Sequence, residues 1–430
     1  MATVIKRAGV VTPAGVDVTD LRIDAGRISA LGSVAAGPED RMIEGEGKLI
    51  FAGGIDPHVH LEQLTASGQT SSDDFAGGCR AALFGGTTTL GDFAYPDPGE
   101  RLISAWRRRR ALLSPDLSCR VFFHVTISEE VDDLEEQIDE CLREGINSFK
   151  VHLNDRKMNR HFLDRICRHL ARGKALLLVH AEEGEKIAKL TAELRREGKT
   201  GLLSHALSHP AGVEAGAIRQ VLTLGRRYGT SIYIVHLSTR AGLEIIREFK
   251  AQDSPVRAET CPQYLFLSEE KYLEPDGYCY TCLPPFRTEA DREALWEGLA
   301  DGSIDLVSTD HCPFTRAQKD TWQGDFTRIP GGLPGVETRI PLLFSEGRQR
   351  GFSWEKLSEL VSGRAAEIFG LERRGVIREG GSADLFLYDP EASGEIDYRR
   401  LHMNCDFSPY QGMKLRGRVV QTIRGGEIFP

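Results

Sequence analysis

Two histidines separated by one residue, His58 and His60, follow an apolar run and a pair of glycines. Alternate residues of a β-strand point to the same face, so both imidazoles are expected to project together from one strand end. Two neutral imidazoles side by side provide half of the ligands of a zinc site. The alternative is two surface histidines in a loop, and the other ligand-type residues of the chain decide between these interpretations.

Four further residues of ligand type stand at or near the ends of other apolar runs. They are Lys150, His180, His236 and Asp310. Each has a structural alternative of its own, because a histidine that ends an apolar strand is more often a core residue, a buried lysine pairs with an acid, and an aspartate caps a helix. Their joint occurrence at equivalent strand ends favours a metal centre, since the active sites of parallel barrels lie where the strands end.

Lys150 requires separate chemistry, because an ammonium group cannot bind a metal ion. An apolar setting and neighbouring cations favour the neutral amine. A neutral amine reacts with carbon dioxide to form a carbamate, whose two oxygens can each bind one metal ion. We therefore expect an N6-carboxylysine at position 150 that bridges two divalent ions, with zinc as the expected metal.

The remaining ligands divide into two groups around this bridge. His58, His60 and Asp310 are expected to hold one zinc ion. His180 and His236 are expected to hold the other. A water molecule that bridges both ions would be a hydroxide near neutral pH. Asp310 is the expected general base, which takes the proton from this water and passes it to the leaving nitrogen.

Short apolar runs alternate with amphipathic segments through the centre of the chain. Eight runs are candidate strands, at 49–60, 87–93, 120–127, 148–153, 175–181, 231–237, 258–267 and 305–310. Helical patterns follow most of them, for example at 129–144, 160–172 and 240–250. Eight strand–helix units in sequence predict an α/β fold, a closed parallel (β/α)8 TIM-like barrel. An open doubly wound sheet is the alternative, but the glycine fingerprint of a dinucleotide site is missing.

Both chain ends differ from this pattern and consist of short alternating strands with tight turns. A segment of about 50 residues is too short to bury a core alone. We therefore expect one small composite β-sandwich built from residues 1–50 and 373–430, beside a metal-dependent barrel of residues 51–372. A chain of 430 residues is long enough for a large barrel with such an accessory domain.

The composition is that of a soluble globular protein, with 40% apolar and 27% charged residues. A net charge of −9 disfavours a nucleic-acid partner. The four arginines at 107–110 lie in a helical pattern and are interpreted as a solvated face. No signal peptide or membrane span is found, and nine cysteines without a framework spacing favour a reduced, cytoplasmic protein.

Motifs along almost the whole chain resemble those of the cyclic amidohydrolases, and within them the dihydropyrimidinase and hydantoinase branch. They include Gly-Gly-Ile-Asp-Pro-His-Val-His at 53–60, Ser-Phe-Lys-Val at 148–151, Glu-Thr-Cys-Pro-Gln-Tyr-Leu at 259–265 and Ser-Thr-Asp-His-Cys-Pro-Phe at 308–314. The resemblance implies a barrel with a composite β-sandwich, a two-zinc centre bridged by a carboxylated lysine, and a homotetramer. It assigns the same six residues as metal ligands.

The chain departs from the family pattern at four positions that are expected to contact substrate. Asp155 stands where this branch has a tyrosine that donates to the amide oxyanion, and His152 stands where an apolar aromatic residue is usual. Leu283 and Gly331 replace a serine and an asparagine that recognise substrate through backbone groups. We expect Asp155 and His152 to form a polar pair with His152 as the donor. The alternative is that both face solvent and that Tyr95 swings in instead.

These features predict a metal-dependent hydrolase that opens a cyclic amide or ureide, of the dihydropyrimidinase or hydantoinase type. Allantoinase, dihydroorotase or another cyclic-amide activity are close alternatives. A non-catalytic dihydropyrimidinase-like scaffold and a one-metal deaminase are more distant ones. Glu62 stands where dihydroorotases carry an arginine that grips the substrate carboxylate, so the expected partner is a small cyclic amide that is neutral or basic.

Overall fold

A computed structural model of the chain describes residues 2–65 and 68–429. Its strands are β1 Thr3–Thr12, β2 Gly15–Asp24, β3 Arg27–Gly32, β4 Arg41–Glu44, β5 Leu49–Ala52, β6 Gly54–Asp56, β7 Thr87–Ala94, β8 Arg120–Thr126, β9 Ser148–His152, β10 Leu176–His180, β11 Ser231–Ile234, β12 Val256–Thr260, β13 Leu306–Val307, β14 Leu385–Glu395, β15 Lys414–Arg424 and β16 Glu427–Phe429.

The α-helices are α1 Phe75–Phe84, α2 Leu102–Arg110, α3 Leu134–Arg143, α4 Arg160–Gly173, α5 Gly184–Arg196, α6 Leu203–Ser208, α7 Ala211–Tyr228, α8 Arg240–Lys250, α9 Pro262–Phe266, α10 Glu289–Asp301, α11 Arg316–Lys319, α12 Arg339–Gln349, α13 Trp354–Ser358 and α14 Arg364–Ile368. Short 3-10 helices cover Glu269–Leu273, Gly277–Tyr280, Asp320–Trp322, Phe326–Arg328 and Tyr398–Arg400. A π-helical turn covers Glu359–Gly363. In the described ranges, no helix is long and apolar enough to span a membrane.

Eight parallel strands, β6 to β13, form the barrel, and each is hydrogen-bonded to the next in chain order. Parallel strands covered by helices are buried on both faces, and every residue of β7 is accordingly buried. A bridge between Val59 and His311 joins the segment after the first strand to the segment after the last. The predicted (β/α)8 barrel is confirmed, and its strand ends converge at one rim.

The other eight strands form a second sheet from both chain ends. Its order is β16-β15-β14-β5-β1-β2-β3, with β4 pairing with β1. The two chain ends meet where β5 runs antiparallel to β14, which places Phe51 opposite Phe386. The core of this sheet contains side chains from both ends, among them Ile5, Ile50 and Leu385. The prediction that both chain ends build one β domain is confirmed, and its strands are hydrogen-bonded in one sheet. The bounds 1–50 and 373–430 stay a prediction.

The run 49–60, predicted as one strand, divides between the two sheets. β5 ends at Ala52 and β6 begins at Gly54, so the chain passes from the composite sheet to the barrel at Gly53. A side chain at Gly53 would place its Cβ 2.3 Å from Oγ1 of Thr88, so this crossing requires glycine. An apolar run does not reveal the change of sheet, because both strands are buried.

The strand predicted at 258–267 is also shorter than expected. The strand β12 ends at Thr260, and Pro262 begins helix α9, where its missing N–H removes no intrahelical hydrogen bond. Elsewhere the predicted helices at 160–172 and 240–250 are confirmed as α4 and α8, since an amphipathic pattern of that length specifies a helix.

The four-arginine segment is helical, but one of its members is not solvated as predicted. Arg109 is buried, and its guanidinium lies 2.8 Å from the carboxylate of the buried Asp92. The same guanidinium donates to the carbonyl oxygens of Leu61 and Glu62, while Asp92 accepts from the N–H of Leu61. This buried ion pair therefore anchors the turn that follows His60.

Candidate metal centre

The imidazoles of His58 and His60 meet the carboxylate of Asp310 at the barrel rim. Their Nε2 atoms lie 3.2 Å and 3.1 Å from Oδ1 of Asp310, and one ligand atom from each residue lies within 4.8 Å of the others. The histidines follow β6 and the aspartate follows β13, and the Val59–His311 bridge brings these segments together. Two imidazole nitrogens and a carboxylate oxygen that converge on one point fit a divalent metal ion.

His180 and His236 form a second group beside the first. Nδ1 of His180 lies 2.9 Å from Nε2 of His236, at the ends of the neighbouring strands β10 and β11. The rings of His236 and His58 are 5.5 Å apart between centroids, so the two groups adjoin. Nδ1 of His236 is buried and has no hydrogen-bond partner in the described ranges. Nδ1 of His180 and Nε2 of His236 face each other, and this arrangement fits the binding of a second cation.

Lys150 lies in the middle of β9 with its side chain buried inside the barrel. Its Nζ lies 5.2 Å from the centroid of the Phe93 ring, which also packs against His58 and His60. Burial lowers the pKa of Lys150 to about 8, which raises the neutral fraction of the amine near neutral pH. A neutral, buried amine beside these histidines fits the predicted carbamate.

The protonation states of the site also fit cation binding. Burial lowers the pKa values of His58 and His236 well below their usual range, so both rings are neutral, as metal ligation requires. Burial alone would raise the pKa of the Asp310 carboxyl, but its close contacts with His58 and His60 have the larger effect and leave the pKa below its usual value. Asp310 is therefore ionised at neutral pH.

Two residues of the site have unusual backbone conformations. The φ angle is 39° at His236 and 52° at Asp310, in the left-handed region that residues other than glycine rarely adopt. Such a conformation costs on the order of 1–3 kcal/mol and persists only where the surrounding structure enforces it. Both strained positions lie directly where side chains must turn into the barrel mouth, which is typical of functional sites.

Two buried glutamates, to which the sequence pattern assigned no role, hold the histidines. Nδ1 of His58 donates to Glu259 at 2.5 Å, and Nε2 of His180 donates to Glu182 at 2.9 Å. In each ring the other nitrogen then faces the cluster with a free lone pair. Glu182 was detectable as an acid two residues after His180. Glu259 was detectable in the sequence as a charged residue within the apolar run 258–267.

The predicted side-chain pair of Asp155 and His152 is not formed. Asp155 is exposed, and its carboxylate accepts a hydrogen bond from the backbone N–H of Lys157 at 2.9 Å. His152 ends β9 and is half-buried, with its ring 5.9 Å from that of Tyr95. The Tyr95 ring is also 6.4 Å from the His60 ring. Asp155 faces outward because the chain turns after β9, whereas Tyr95 lies beside the candidate ligand His60.

Leu283 and Gly331 lie against each other on neighbouring loops. A Cβ at Gly331 would be 3.3 Å from Cγ of Leu283, which is close packing. The Gly331 loop also pairs with the segment that follows Asp310, since the N–H of Cys312 donates to the carbonyl oxygen of Leu333 at 3.1 Å. The Gly331 loop therefore borders the segment that carries Asp310, with Leu283 packed against it, and the contact of both residues with substrate stays a prediction.

A family model described as the amidohydrolase family matches residues 49–429. Among curated proteins, the chain is 38% identical over 436 residues to a D-phenylhydantoinase of Escherichia coli O1:K1 / APEC, and this match covers 100% of the chain and 94% of that protein. The matched range includes all six predicted metal ligands.

Solved structures of similar length share the fold. The chain matches the crystal structure of a dihydropyrimidinase from Brevibacillus agri NCHU1002 with a TM-score of 0.96 at 33% identity, covering 100% of this chain and 95% of that one. A crystal structure of a D-hydantoinase matches with a TM-score of 0.97 at 34% identity, again covering 100% and 95%.

Proposed function

Because the chain belongs to the amidohydrolase family, we propose that it is a metal-dependent hydrolase that opens a cyclic amide or ureide of the hydantoin or dihydropyrimidine type. The observation that carries this proposal is the convergence of His58, His60 and Asp310 on one point at the barrel rim. Relatives named D-phenylhydantoinase and dihydropyrimidinase, similar over the whole chain, support the class of substrate.

The proposed centre holds two divalent ions, with zinc as the metal. His58, His60 and Asp310 would hold one ion. His180 and His236 would hold the other, and carboxylated Lys150 would hold both. When bound, the ions polarise the substrate carbonyl and lower the pKa of the attacking water. Support for the carbamate is the burial of Lys150, which lowers the pKa of its amine to about 8.

Asp310 is the proposed general base. Its carboxylate is ionised at neutral pH and is held between His58 and His60. It takes a proton from the water that attacks the carbonyl carbon and delivers this proton to the ring nitrogen as the C–N bond breaks. The atoms balance, since water contributes a hydroxyl group to the carbon and a proton to the nitrogen.

His152 and Tyr95 are the proposed donors to the carbonyl oxygen of the substrate. Burial lowers the pKa of His152 well below its usual range, so its ring is neutral and carries one N–H. Burial and nearby negative charges, including that of Asp310, raise the pKa of Tyr95, so its hydroxyl keeps its proton. A donor aimed at the oxygen that becomes negative stabilises the transition state.

The proposed substrate ring carries no carboxylate. Arg109, which reaches the turn after His60, is committed to Asp92 and to backbone oxygens, and the exposed Glu62 adds negative charge to this turn. A substrate carboxylate placed there would meet like charge. The acid at position 155 faces outward and does not contribute to this effect.

A hydrolysis screen tests the proposed function. The metal-loaded protein is incubated with hydantoin, dihydrouracil, allantoin and dihydroorotate, and ring opening is followed by the loss of ultraviolet absorbance. We expect turnover of at least one neutral ring and little turnover of dihydroorotate. Failure to open any of the rings would contradict the proposed function, and efficient hydrolysis of dihydroorotate would contradict the charge argument alone.

The resemblance to homotetrameric amidohydrolases also leads us to propose that this chain assembles as a homotetramer. Sedimentation equilibrium of the purified protein measures this directly. A mass of four chains is expected, and a concentration-independent mass of one chain would contradict it.

A further inference from the structure

Glu259 is a fully buried carboxylate in the barrel strand β12, at 0% exposure. A carboxylate taken out of water destabilises the fold unless partners replace its hydration. Within the described ranges, its only ion-pair partner is His58, and no lysine or arginine lies within ion-pairing distance. Arg339, also buried in the barrel, donates instead to the carbonyl oxygens of Ile55 and Val307. The environment of Glu259 is therefore built around a histidine rather than a structural salt bridge.

The contacts of Glu259 link the two groups of candidate ligands. Oε1 accepts from Nδ1 of His58 at 2.5 Å and from the backbone N–H of His236 at 3.3 Å. Oε2 accepts from the hydroxyl of Tyr233 at 2.6 Å, which fixes the carboxylate from the other side. One oxygen atom thus contacts a side chain of the first group and the main chain of the second.

Each of these contacts has a structural consequence. Donation from Nδ1 of His58 fixes the ring tautomer, so that Nε2 presents its lone pair toward Asp310, 3.2 Å away. The contact with the N–H of His236 holds a residue whose φ is 39°, a conformation that the backbone does not keep without support.

We propose that Glu259 is a positioning residue that fixes the tautomer of His58 and the spacing between the two groups of metal ligands. This inference rests on the proposed function, in which His58 and His236 bind different ions. Carboxylates behind metal-ligating histidines orient the rings, and their loss typically weakens metal affinity by about 10–100-fold. Because Glu259 contacts both groups of candidate ligands, its loss is expected to weaken the binding of both ions.

The test compares Glu259→Gln with Glu214→Gln. Glu214 is a matched control, because it is also a buried glutamate, but it accepts hydrogen bonds from Ser238 and Thr239 and contacts no candidate ligand. Both variants and the wild type are loaded with zinc, and metal retention is measured by competition with a chelator. Thermal unfolding of the same proteins after removal of zinc by chelator reports the loss of fold stability separately, because bound metal itself raises the melting temperature.

We expect Glu259→Gln to lose affinity for both ions by about 10–100-fold and Glu214→Gln to retain wild-type affinity, even where both lower the melting temperature. Equal metal retention in Glu259→Gln and wild type would overturn the inference. The same result would leave the proposed function intact, because wild-type protein would still bind two ions. A wild type that takes up no zinc would instead contradict the proposed function.

A second measurement needs no folded Glu259 variant. Nitrogen NMR of ¹⁵N-histidine-labelled wild-type protein, assigned with His58→Asn, reports which ring nitrogen of His58 carries the proton. We expect the Nδ1–H tautomer, in both the zinc-loaded and the zinc-free protein. An Nε2–H tautomer would overturn the positioning role whatever the metal content or activity of the protein.

Discussion

Nδ1 of His180 lies 2.9 Å from Nε2 of His236 in the barrel mouth. Glu182 accepts a hydrogen bond from the other nitrogen of His180 at 2.9 Å, so the facing Nδ1 carries a lone pair. Burial keeps the pKa of His236 well below its usual range, which excludes a doubly protonated ring. Two buried nitrogens that face each other in this way form a shared hydrogen bond or bind a common cation.

Replacement of Lys150, the proposed bridge, should affect the proposed second metal position most. We expect Lys150→Ala to lose the ion held by His180 and His236, because two imidazoles alone leave about half of a zinc coordination shell unfilled. Elemental analysis of protein prepared without chelator should fall from about two zinc equivalents to about one or fewer. A carbamate carbon signal should appear in ¹³C NMR of the wild type under ¹³C-bicarbonate, and a variant that keeps both ions would contradict the bridge.

The proposed general base, Asp310, can be replaced by a residue that keeps one side-chain oxygen. Asp310→Asn should fold normally and lose about 10²–10⁴ in turnover, because an amide does not accept the proton of the attacking water. The measurement is kcat on whichever cyclic amide the wild type opens, with circular dichroism as the control for folding. Near wild-type turnover would place the base elsewhere, and His152 would be the next candidate.

Two single substitutions distinguish the donors at the mouth. Tyr95→Phe removes only a hydroxyl and leaves the ring packed near His60, so a fall in kcat with little change in KM would report lost stabilisation of the oxyanion. We expect a loss of about 10²–10³ for this variant and a smaller loss for His152→Phe. Tyr398→Phe, in the 3-10 helix Tyr398–Arg400, which carries none of the candidate ligands, is the control and should be unchanged. Full activity in both mouth variants would refute both donors.

The low pKa of the buried His124 should make the stability of the fold depend on pH. Burial lowers the pKa of His124 to about 3, and its ring contacts the carbonyl oxygen of Pro57 and the hydroxyl of Ser148. Between this value and the unfolded pKa of about 6.5, the unfolded chain binds a proton that the folded chain does not. Stability therefore falls as pH drops from about 6.5 toward 3, by on the order of a few kcal/mol from this group.

Chemical denaturation of wild type and His124→Asn across this pH range measures the effect. The variant is expected to be less stable at pH 7 but to show a flatter dependence on pH. His161→Asn is the matched control, because His161 has 83% side-chain exposure and should leave the wild-type profile unchanged. An identical pH profile for His124→Asn and wild type would show that His124 does not contribute.

The barrel and the six candidate ligands could be predicted because both depend on local patterns. Buried parallel strands leave apolar runs, and side chains that end them meet at one rim whatever the details of the helices. The same logic explains the error at 49–60, since a run buried in two different sheets looks like one strand. In the structure, the close approach of Thr88 to Gly53 marks the crossing.

The residues behind the ligands depend on contacts between distant segments, which no local pattern specifies. Glu259 meets His58 across 201 positions of sequence. Arg109 was indistinguishable in the sequence from its exposed neighbours, and its burial follows from Asp92 on the adjacent strand. The orientation of the Asp155 side chain depends on the turn after β9, where its carboxylate accepts a hydrogen bond from the backbone N–H of Lys157. Contacts of this kind are defined by the folded structure and not by the local sequence.

Titration of metal-free protein with zinc, followed by hydrolysis of hydantoin or dihydrouracil, tests the central claim most directly. We expect protein stripped by chelator to be inactive and activity to rise to a plateau at about two equivalents per chain, because the rim presents two adjoining groups of ligands. Ring opening by the stripped protein at the full wild-type rate, or a plateau at one equivalent, would contradict a two-metal hydrolase.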